Sequence, residues 1–439
     1  MFCYQCEMSA PGGCGFSGQR LGTCGKDSTL AMLQDTMVFG LKGLSAYREH
    51  ARELGADTKQ VDDAISESLY FTLTNVNFNF NDHVAQLMKI GKAGVKAMDL
   101  LSEAHTKALG VPSPVKISQN KAEGKAILVS GHDLSMLKGL LEAVKDKSIN
   151  IYTHSEMLPA HGYPELRKYP HLKGNIGKSW FDQTKLFEKW AGAIIMTTNC
   201  IVPPKKDCGY LDRLFTYKIV GVEGGKKILN DDFSEAIETA LRLPAVTGFD
   251  DSATLSTGHH YKSVLGLAPQ ILEAVKNGKI KRFYVIAGCD APGKGGEYYR
   301  ELAEGLSEDC VIITSSCGKF RFNDIDFGTV PETEIPRYLD LGQCNDSNGA
   351  VHIATALGKA LGAPLGDLPV SIVLSWMEQK AVLILLALFS LGIKDVMIGP
   401  KAPQFMDQKI FAFLSEHFNL RLTSTVEEDF GIKTVKKAA

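Results

Sequence analysis

The sequence predicts a multidomain α/β protein, in which an N-terminal Cys-rich loop and a helical bundle precede two Rossmann-like parallel α/β domains. Two observations support this fold class. Residues 28–109 carry apolar side chains at three- and four-residue spacing, which is typical of amphipathic helices. From residue 121 onward, short apolar runs bounded by turn residues alternate with helical stretches. That alternation indicates buried parallel strands joined by right-handed crossovers.

Three helices are expected in the first region. The first carries Leu30, Leu33 and Met37, the second runs from Thr58 to Leu73, and the third opens at an N-cap pair at residues 81–82. No further helix is expected before the first strand.

Two linker signals divide the chain. The Pro112-Ser113-Pro114 segment ends the helical pattern, and the stretch from Arg242 to Ser256 separates two strand-containing regions. We therefore predict domains at residues 1–117, 118–254 and 255–439.

The composition is that of a globular protein with large cores. The 439 residues include 44% apolar and 22% charged side chains, with a net charge of -2. This balance argues against a nucleic-acid or membrane-surface partner. The most apolar stretch, residues 381–391, is far shorter than the roughly 20 residues of a membrane helix. Cys3 stands too near the start for a signal peptide to precede it, so we expect a cytoplasmic protein. Its ten cysteines are then better explained by metal binding than by disulfides.

The first 24 residues contain the spacing C-x2-C-x7-C-x9-C, formed by Cys3, Cys6, Cys14 and Cys24. The glycines between these cysteines allow the loop to fold around a metal. Four thiolates suit either a structural zinc ion or an iron–sulfur cubane. Zinc sites usually show two C-x-x-C pairs and this loop has one, but the spacing alone leaves both alternatives open.

A second set of possible metal ligands follows the predicted strands. Taken singly, a buried cysteine is most often a small hydrophobic residue, and an acid at a helix start complements the helix dipole. Seven such residues are too many for one tetrahedral ion, and parallel sheets place ligands at the carboxyl ends of their strands. Thiolates suit iron–sulfur units, whereas imidazole and carboxylate suit iron bound to oxygen. We therefore predict one large, asymmetric metal centre whose ligands are His132, Glu156, Cys200, Cys289, Cys317, Cys344 and Glu378.

Several segments closely resemble the hybrid cluster proteins, also called prismane proteins or hydroxylamine reductases. They occur in the order that this family shows and include every segment that holds a predicted ligand. In chain order they are MFCYQCEMSA (1–10), CGKD (24–27), VSGHDL (129–134), YTHSEMLPAHGYPELRKYPHLKGNIG (152–177), TTNCIVPPK (197–205), IAGCD (286–290), SCGKFRFND (316–324), LGQCND (341–346) and SWMEQKAV (375–382).

The resemblance implies two clusters. The four N-terminal cysteines would hold a cubane-type [4Fe-4S] cluster, although the gap between Cys14 and Cys24 is longer than usual in the family. The seven strand-end residues would hold a hybrid [4Fe-2O-2S] cluster, with Lys380 beside it and a persulfide on Cys289. Glu156 and Glu378 would be labile ligands in catalysis, and Lys380 or His161 would supply protons. The short helical region places the chain in the compact class, with a single bundle.

The resemblance also implies a cytoplasmic oxidoreductase that reduces hydroxylamine to ammonia and water, and further implies nitric oxide reduction in defence against nitrosative stress. No dinucleotide-binding motif is present, so electrons would come from an external donor protein through the N-terminal cluster. The partners expected are that donor and a small nitrogen-oxide substrate, for a monomer or homodimer without nucleic acid or membrane. One alternative is a redox or NO sensor, or a protein S-nitrosylase, acting through Cys289. Another is a carbon monoxide dehydrogenase, which needs more N-terminal cysteines. Cys208 and Cys310 match no ligand motif and are expected to be structural.

Overall fold

A computed structural model of the chain describes residues 3–9, 13–14, 21–247, 253–290, 292–375 and 378–433. Three helices form the N-terminal region, and the remaining helices alternate with strands. The helices are α1 (Ser28–Glu53), α2 (Lys59–Phe71), α3 (Phe80–Leu109), α4 (Leu134–Ala143), α5 (Pro164–Arg167), α6 (Gln183–Lys189), α7 (Ser234–Arg242), α8 (Tyr261–Leu265), α9 (Ala268–Lys276), α10 (Glu297–Gly305), α11 (Asn348–Leu361), α12 (Gln379–Ser390), α13 (Gln408–Phe418) and α14 (Val426–Phe430).

The strands are short, and most of their side chains are buried. They are β1 (Val115–Ser118), β2 (Lys125–Ser130), β3 (Ile149–His154), β4 (Leu172–Asn175), β5 (Ala193–Met196), β6 (Leu214–Tyr217), β7 (Lys226–Ile228), β8 (Thr254–Thr257), β9 (Arg282–Gly288), β10 (Cys310–Thr314), β11 (Tyr338–Asp340), β12 (Val370–Ser375), β13 (Val396–Gly399) and β14 (Arg421–Leu422).

Two six-stranded sheets organise the second and third parts of the chain. Their spatial orders are β4-β3-β2-β5-β6-β7 and β11-β10-β9-β12-β13-β14, and all neighbouring strands within them are parallel. Numbered along the chain, the strands of both sheets follow the order 3-2-1-4-5-6 of the doubly wound fold. The order therefore reverses between β2 and β5 in the first sheet, and between β9 and β12 in the second.

The predicted fold class is confirmed, because a helical region precedes two parallel α/β sheets. The seven apolar runs that precede the predicted ligands all lie in strands. The expected N-cap pair of the third helix is wrong by two residues, because Asn79 caps α3 and its side chain accepts from the backbone of Asn81 and Asp82. The short antiparallel pair β1–β8 was not predicted. The limits of the three domains stay a prediction.

Helix α12 packs against α1 and α3 and joins the helical region to the second sheet. Two glycines allow this close approach. A Cβ at Gly43 of α1 would lie 2.7 Å from the carbonyl oxygen of Gln379, and one at Gly91 of α3 would lie 2.2 Å from that of Leu386. The most apolar stretch of the sequence is therefore a buried helix at the centre of the molecule. Among the described residues, no helix is both long and apolar enough to cross a lipid bilayer.

Candidate metal centre

The predicted ligands lie just after the carboxyl ends of strands in both sheets. His132 follows β2 and Cys200 follows β5, so they flank the point where the order of the first sheet reverses. Cys289 follows β9 and Glu378 follows β12, at the corresponding point of the second sheet. Such reversal points open a crevice between the flanking loops, which is where doubly wound sheets bind ligands.

The loops at these strand ends have unusual backbone conformations. Four residues other than glycine have positive φ angles: Ser155 (52°), Cys200 (69°), Asp290 (69°) and Ser316 (67°). Each is a predicted ligand or the direct neighbour of one. Such conformations cost on the order of 1–3 kcal/mol each and persist where the surrounding structure enforces them. Four of the ten described non-glycine residues with positive φ angles therefore lie at the predicted centre.

Three predicted ligands form the most compact part of the site. Single ligand atoms of His132, Glu156 and Cys344 all lie within 4.8 Å of one another, and all three residues are buried. His132 Nε2 lies 3.9 Å from Glu156 Oε2. The Nδ1 atom of His132 is hydrogen-bonded to Thr198 Oγ1 at 2.8 Å, which leaves Nε2 to face the carboxylate. Glu156 Oε2 accepts from the backbone N–H of Cys344 at 2.8 Å, whereas Oε1 has no hydrogen-bond partner within the described part of the chain.

Hydrogen bonds across the centre join the two sheets. The Gln343 side-chain amide donates to the carbonyl oxygens of His132, at 3.0 Å, and of Glu156, at 2.8 Å. Ser155 Oγ lies 3.4 Å from Cys317 Sγ. Ligands from the first sheet are therefore held against ligands from the second by direct contacts.

Cys200 and Cys289 are oriented by neighbouring polar groups. The Asn199 side-chain amide donates to Cys200 Sγ at 3.0 Å, and Asn199 Oδ1 accepts from Lys380 Nζ at 2.8 Å. The Lys380 ammonium lies 5.3 Å from the centre of the Tyr47 ring. On the other side, Trp180 Nε1 donates to the Cys289 carbonyl oxygen at 2.8 Å. Lys380 therefore reaches Asn199, the direct neighbour of Cys200, from α12.

The pKa shifts of the site fit a group of side chains that binds metal cations. Burial raises the pKa of Cys289 well above its usual range, and the nearby Glu378 carboxylate and Cys200 thiolate raise it further. Burial also raises the pKa values of Glu156 and Glu378, and lowers that of His132 well below its usual range. The imidazole is therefore neutral, as a metal ligand must be, while crowded thiols and carboxyls can ionise together only if cations compensate them. The buried, unpartnered Oε1 of Glu156 fits the same conclusion, and so does the mixture of sulfur, nitrogen and oxygen donors.

Comparison with known proteins agrees with this arrangement. The Prismane/CO dehydrogenase family matches residues 1–84 and 55–431. The chain belongs to this family. It is 47% identical over 430 residues to the hydroxylamine reductase of Moorella thermoacetica, covering 98% of this chain and 99% of that protein. It is 46% identical over 438 residues to the hydroxylamine reductase of Thermotoga petrophila, covering 100% and 99%. Among solved structures, it is similar in fold to carbon monoxide dehydrogenase IV from Carboxydothermus hydrogenoformans, with a TM-score of 0.79, 15% identity, and coverage of 98% and 91%.

The four N-terminal cysteines of this prismane-family chain lie before α1, in the described residues 3–9, 13–14 and 21–27. Cys3 and Cys14 are buried against Ala31, and the backbone N–H of Cys14 donates to the carbonyl oxygen of Cys3 at 3.0 Å. Cys6 is exposed and Cys24 is half-buried. Within the described residues, none of these thiols belongs to a group of three or more ligand atoms that all lie within 4.8 Å of one another.

A buried ion pair supports the loops that carry Cys317 and Cys344. Lys319 Nζ donates to Asp340 Oδ1 and to the carbonyl oxygen of Gly342, both at 2.7 Å. Lys319 and Asp340 are both 0% exposed. Thr257 Oγ1 donates to the second Asp340 oxygen at 2.7 Å. Since Lys319 lies two residues after Cys317 and Asp340 lies at the end of β11, this pair ties the two ligand loops together.

Sequence reasoning did not single out Thr198, Asn199, Gln343, Lys319 or Tyr47. The first four lie inside segments that resemble the family, each within two residues of a predicted ligand. Their closeness to predicted ligands in the sequence was the only sign that they belong to the site, because their hydrogen-bond partners come from distant parts of the chain. Tyr47 has no such signal. It lies in the middle of α1 and becomes part of the site only because α1 packs against α12.

Two cysteines and one histidine outside the centre have local partners. Cys310 is buried at the first residue of β10, the opposite end of that strand from Cys317. Cys208 packs against an apolar cluster of the first sheet. His161, a candidate proton donor, is hydrogen-bonded through Nε2 to Thr153 Oγ1 at 2.9 Å, within the first sheet.

Proposed function

We propose that this prismane-family chain is an iron–sulfur hydroxylamine reductase. The reaction consumes two electrons and two protons, breaks the N–O bond, and gives ammonia and water: NH2OH + 2e⁻ + 2H⁺ → NH3 + H2O. Nitric oxide is proposed as a second substrate, an external protein as the electron donor, and the cytoplasm as the location. The proposal is supported by relatives that bear the name hydroxylamine reductase and match nearly the whole chain.

One observation carries the assignment of the catalytic centre: soft and hard donors from both sheets converge at one place. Ligand atoms of His132, Glu156 and Cys344 come within 4.8 Å of one another, Cys317 Sγ lies 3.4 Å from Ser155 Oγ, and Thr198 of the Cys200 loop is hydrogen-bonded to His132. We propose that His132, Glu156, Cys200, Cys289, Cys317, Cys344 and Glu378 bind a hybrid [4Fe-2O-2S] cluster, with a persulfide on Cys289. When bound, such a cluster supplies electrons and iron positions that bind and polarise an N–O bond.

The side chains around the cluster position would prepare the site for this reaction. Lys380 is held by Asn199 and is 7% exposed, so its ammonium proton is available next to the ligands without free contact with bulk water. The formation of ammonia and water requires protons at the moment when the N–O bond breaks. Lys380 is proposed as the nearest proton donor. Thr198 fixes the His132 ring by its hydrogen bond to Nδ1, which keeps Nε2 directed at the centre.

We further propose that Cys3, Cys6, Cys14 and Cys24 bind a [4Fe-4S] cluster that receives electrons from the donor. The exposed side of this loop, where Cys6 lies, is the surface at which a donor protein would dock. Substituting Cys6→Ser should therefore impair electron uptake and leave the seven-ligand centre assembled. Zinc in place of iron at this loop would contradict this part of the proposal.

The test is a balance of electrons and ammonia under anaerobic conditions. Reduced methyl viologen is the donor, and hydroxylamine and nitric oxide are supplied side by side. We expect two viologen radicals to be oxidised for each ammonia formed from hydroxylamine. Iron-replete protein that consumes neither hydroxylamine nor viologen would overturn the proposed function. If only nitric oxide were reduced, hydroxylamine would be the wrong substrate.

A further inference from the structure

A large cavity lies between α1 and the first sheet. It has a volume of about 720 Å³ and is lined by side chains of α1, by Ile65 and Leu69 of α2, and by the loops that follow β2, β5 and β6. At its outer side lies Ile219, which is 96% exposed. Ser45 and Ala46 of α1 line the cavity wall. We call this space the α1 cavity.

The inner side of the α1 cavity is formed by residues that contact the candidate metal centre. Thr198 lines the cavity and is hydrogen-bonded to His132 Nδ1 at 2.8 Å. Asn199 also lines it, and donates to Cys200 Sγ at 3.0 Å while accepting from Lys380 at 2.8 Å. Asn199 is exposed although Lys380 beside it is buried. The side chains of Thr198 and Asn199 therefore lie between the solvent in the cavity and the two predicted ligands, His132 and Cys200.

One wall of the α1 cavity is strongly polar. Single ligand atoms of His50, Glu53 and Asp133 lie within 4.8 Å of one another. Glu53 Oε1 accepts from Lys218 Nζ at 2.8 Å, and His50 Nδ1 lies 3.9 Å from Glu53 Oε2. The Lys218 ammonium pairs with Glu53, and the group presents several hydrogen-bonding atoms to the cavity. It is a wall of hydrogen-bonding groups that suits water and small polar solutes.

We propose that the α1 cavity is the passage through which hydroxylamine reaches the metal centre from solvent. The cavity offers room for on the order of twenty waters at about 30 Å³ each, so a solute of two heavy atoms fits with its hydration. The polar side chains of His50, Glu53 and Asp133 can hydrogen-bond a small solute, and the inner side of the cavity ends at the hydrogen-bond partners of His132, Cys200 and Lys380. The identity of the solute rests on the proposed function, whereas the passage itself rests on the geometry.

Narrowing the passage tests this proposal. Ala46→Phe and Ser45→Trp each place a large ring in the cavity, at a half-buried and an exposed position respectively. Ala85→Phe is the matched control, because Ala85 is an exposed alanine of α3 outside the cavity. We expect kcat/KM for hydroxylamine to fall by about tenfold or more in both cavity variants and kcat to fall less, since restricted access slows binding rather than chemistry. The control should match the unsubstituted protein.

A second readout does not depend on turnover. Stopped-flow absorbance of the reduced, iron-loaded protein with nitric oxide measures how fast a small iron ligand reaches the centre. Slower iron–nitrosyl formation in both cavity variants, with unchanged iron content, would support the passage even if hydroxylamine were not reduced. Unchanged nitric oxide binding together with unchanged kcat/KM in folded Ser45→Trp and Ala46→Phe proteins would overturn it. Absence of ammonia from the unsubstituted protein would instead contradict the proposed function.

Discussion

The buried Lys319–Asp340 pair gives a prediction whose magnitude follows from its geometry. Replacing Lys319 with methionine keeps most of the side-chain volume but removes the ammonium and its two hydrogen bonds of 2.7 Å. The Asp340 carboxylate would remain 0% exposed, with Thr257 and the backbone of Gly342 as its donors. Leaving one member of a buried pair uncompensated costs about 3–5 kcal/mol.

The assay is guanidinium unfolding of the anaerobic protein, followed by tryptophan fluorescence. With a cost of about 4 kcal/mol and a denaturant slope of at least about 4 kcal/mol per molar for a chain of this size, the midpoint should fall by up to about 1 M. The iron content should also fall, since Lys319 and Asp340 connect the loops that carry Cys317 and Cys344. The double variant Lys319→Met/Asp340→Asn removes both charges and should recover most of the lost stability.

Lys281→Met is a suitable control, because Lys281 pairs with Asp309 at 2.7 Å but is 71% exposed. Exposed pairs contribute about 0–1 kcal/mol, so its midpoint should barely change. Equal midpoints for the Lys319 and Lys281 variants would refute the reasoning. So would a double variant that is less stable than Lys319→Met alone.

Four further outcomes are expected. Cys289→Ser should lower turnover by orders of magnitude while most iron stays bound, whereas Cys208→Ser should be close to neutral; equal rates would contradict the role of Cys289. Glu378→Gln should abolish hydroxylamine reduction without unfolding the chain, and near-normal turnover of the iron-replete variant would end that assignment. Cys6→Ser should remove about four of about eight irons, measured by anaerobic metal analysis. Burial lowers the pKa of His105 to about 3. The unfolded chain therefore takes up a proton at His105 below about pH 6.5 that the folded chain does not, and this one group should lower stability by about 2 kcal/mol between pH 7 and pH 5. His105→Gln should remove that part of the pH dependence in unfolding experiments at the two pH values.

The strand ends were predictable because hydrophobic runs and turn residues are local signals. Each apolar run before a predicted ligand is buried within a sheet, and the ligand follows it directly. Strand order is not a local property. The reversal points beside β2 and β9 became visible only in the structure, and they explain why His132 and Cys289 hold equivalent positions in the two sheets.

The groups that support the predicted ligands could not be predicted in the same way. Lys319, which follows β10, donates to Asp340 at the end of β11. The Gln343 side chain donates to the backbone carbonyl oxygens of His132 and Glu156, which follow strands of the other sheet. Such contacts depend on how two sheets face each other. Tyr47 and the α1 cavity depend, in addition, on how the helical region packs on both sheets, which apolar periodicity does not specify.

The most direct test of the central claim is an iron-edge anomalous difference map from crystals of the anaerobically purified protein. The account predicts a four-iron density between the two sheets, within ligand distance of His132, Glu156 and Cys344, and a second iron density enclosed by the N-terminal cysteine loop. A single metal ion between the sheets, or iron density away from these side chains, would contradict it.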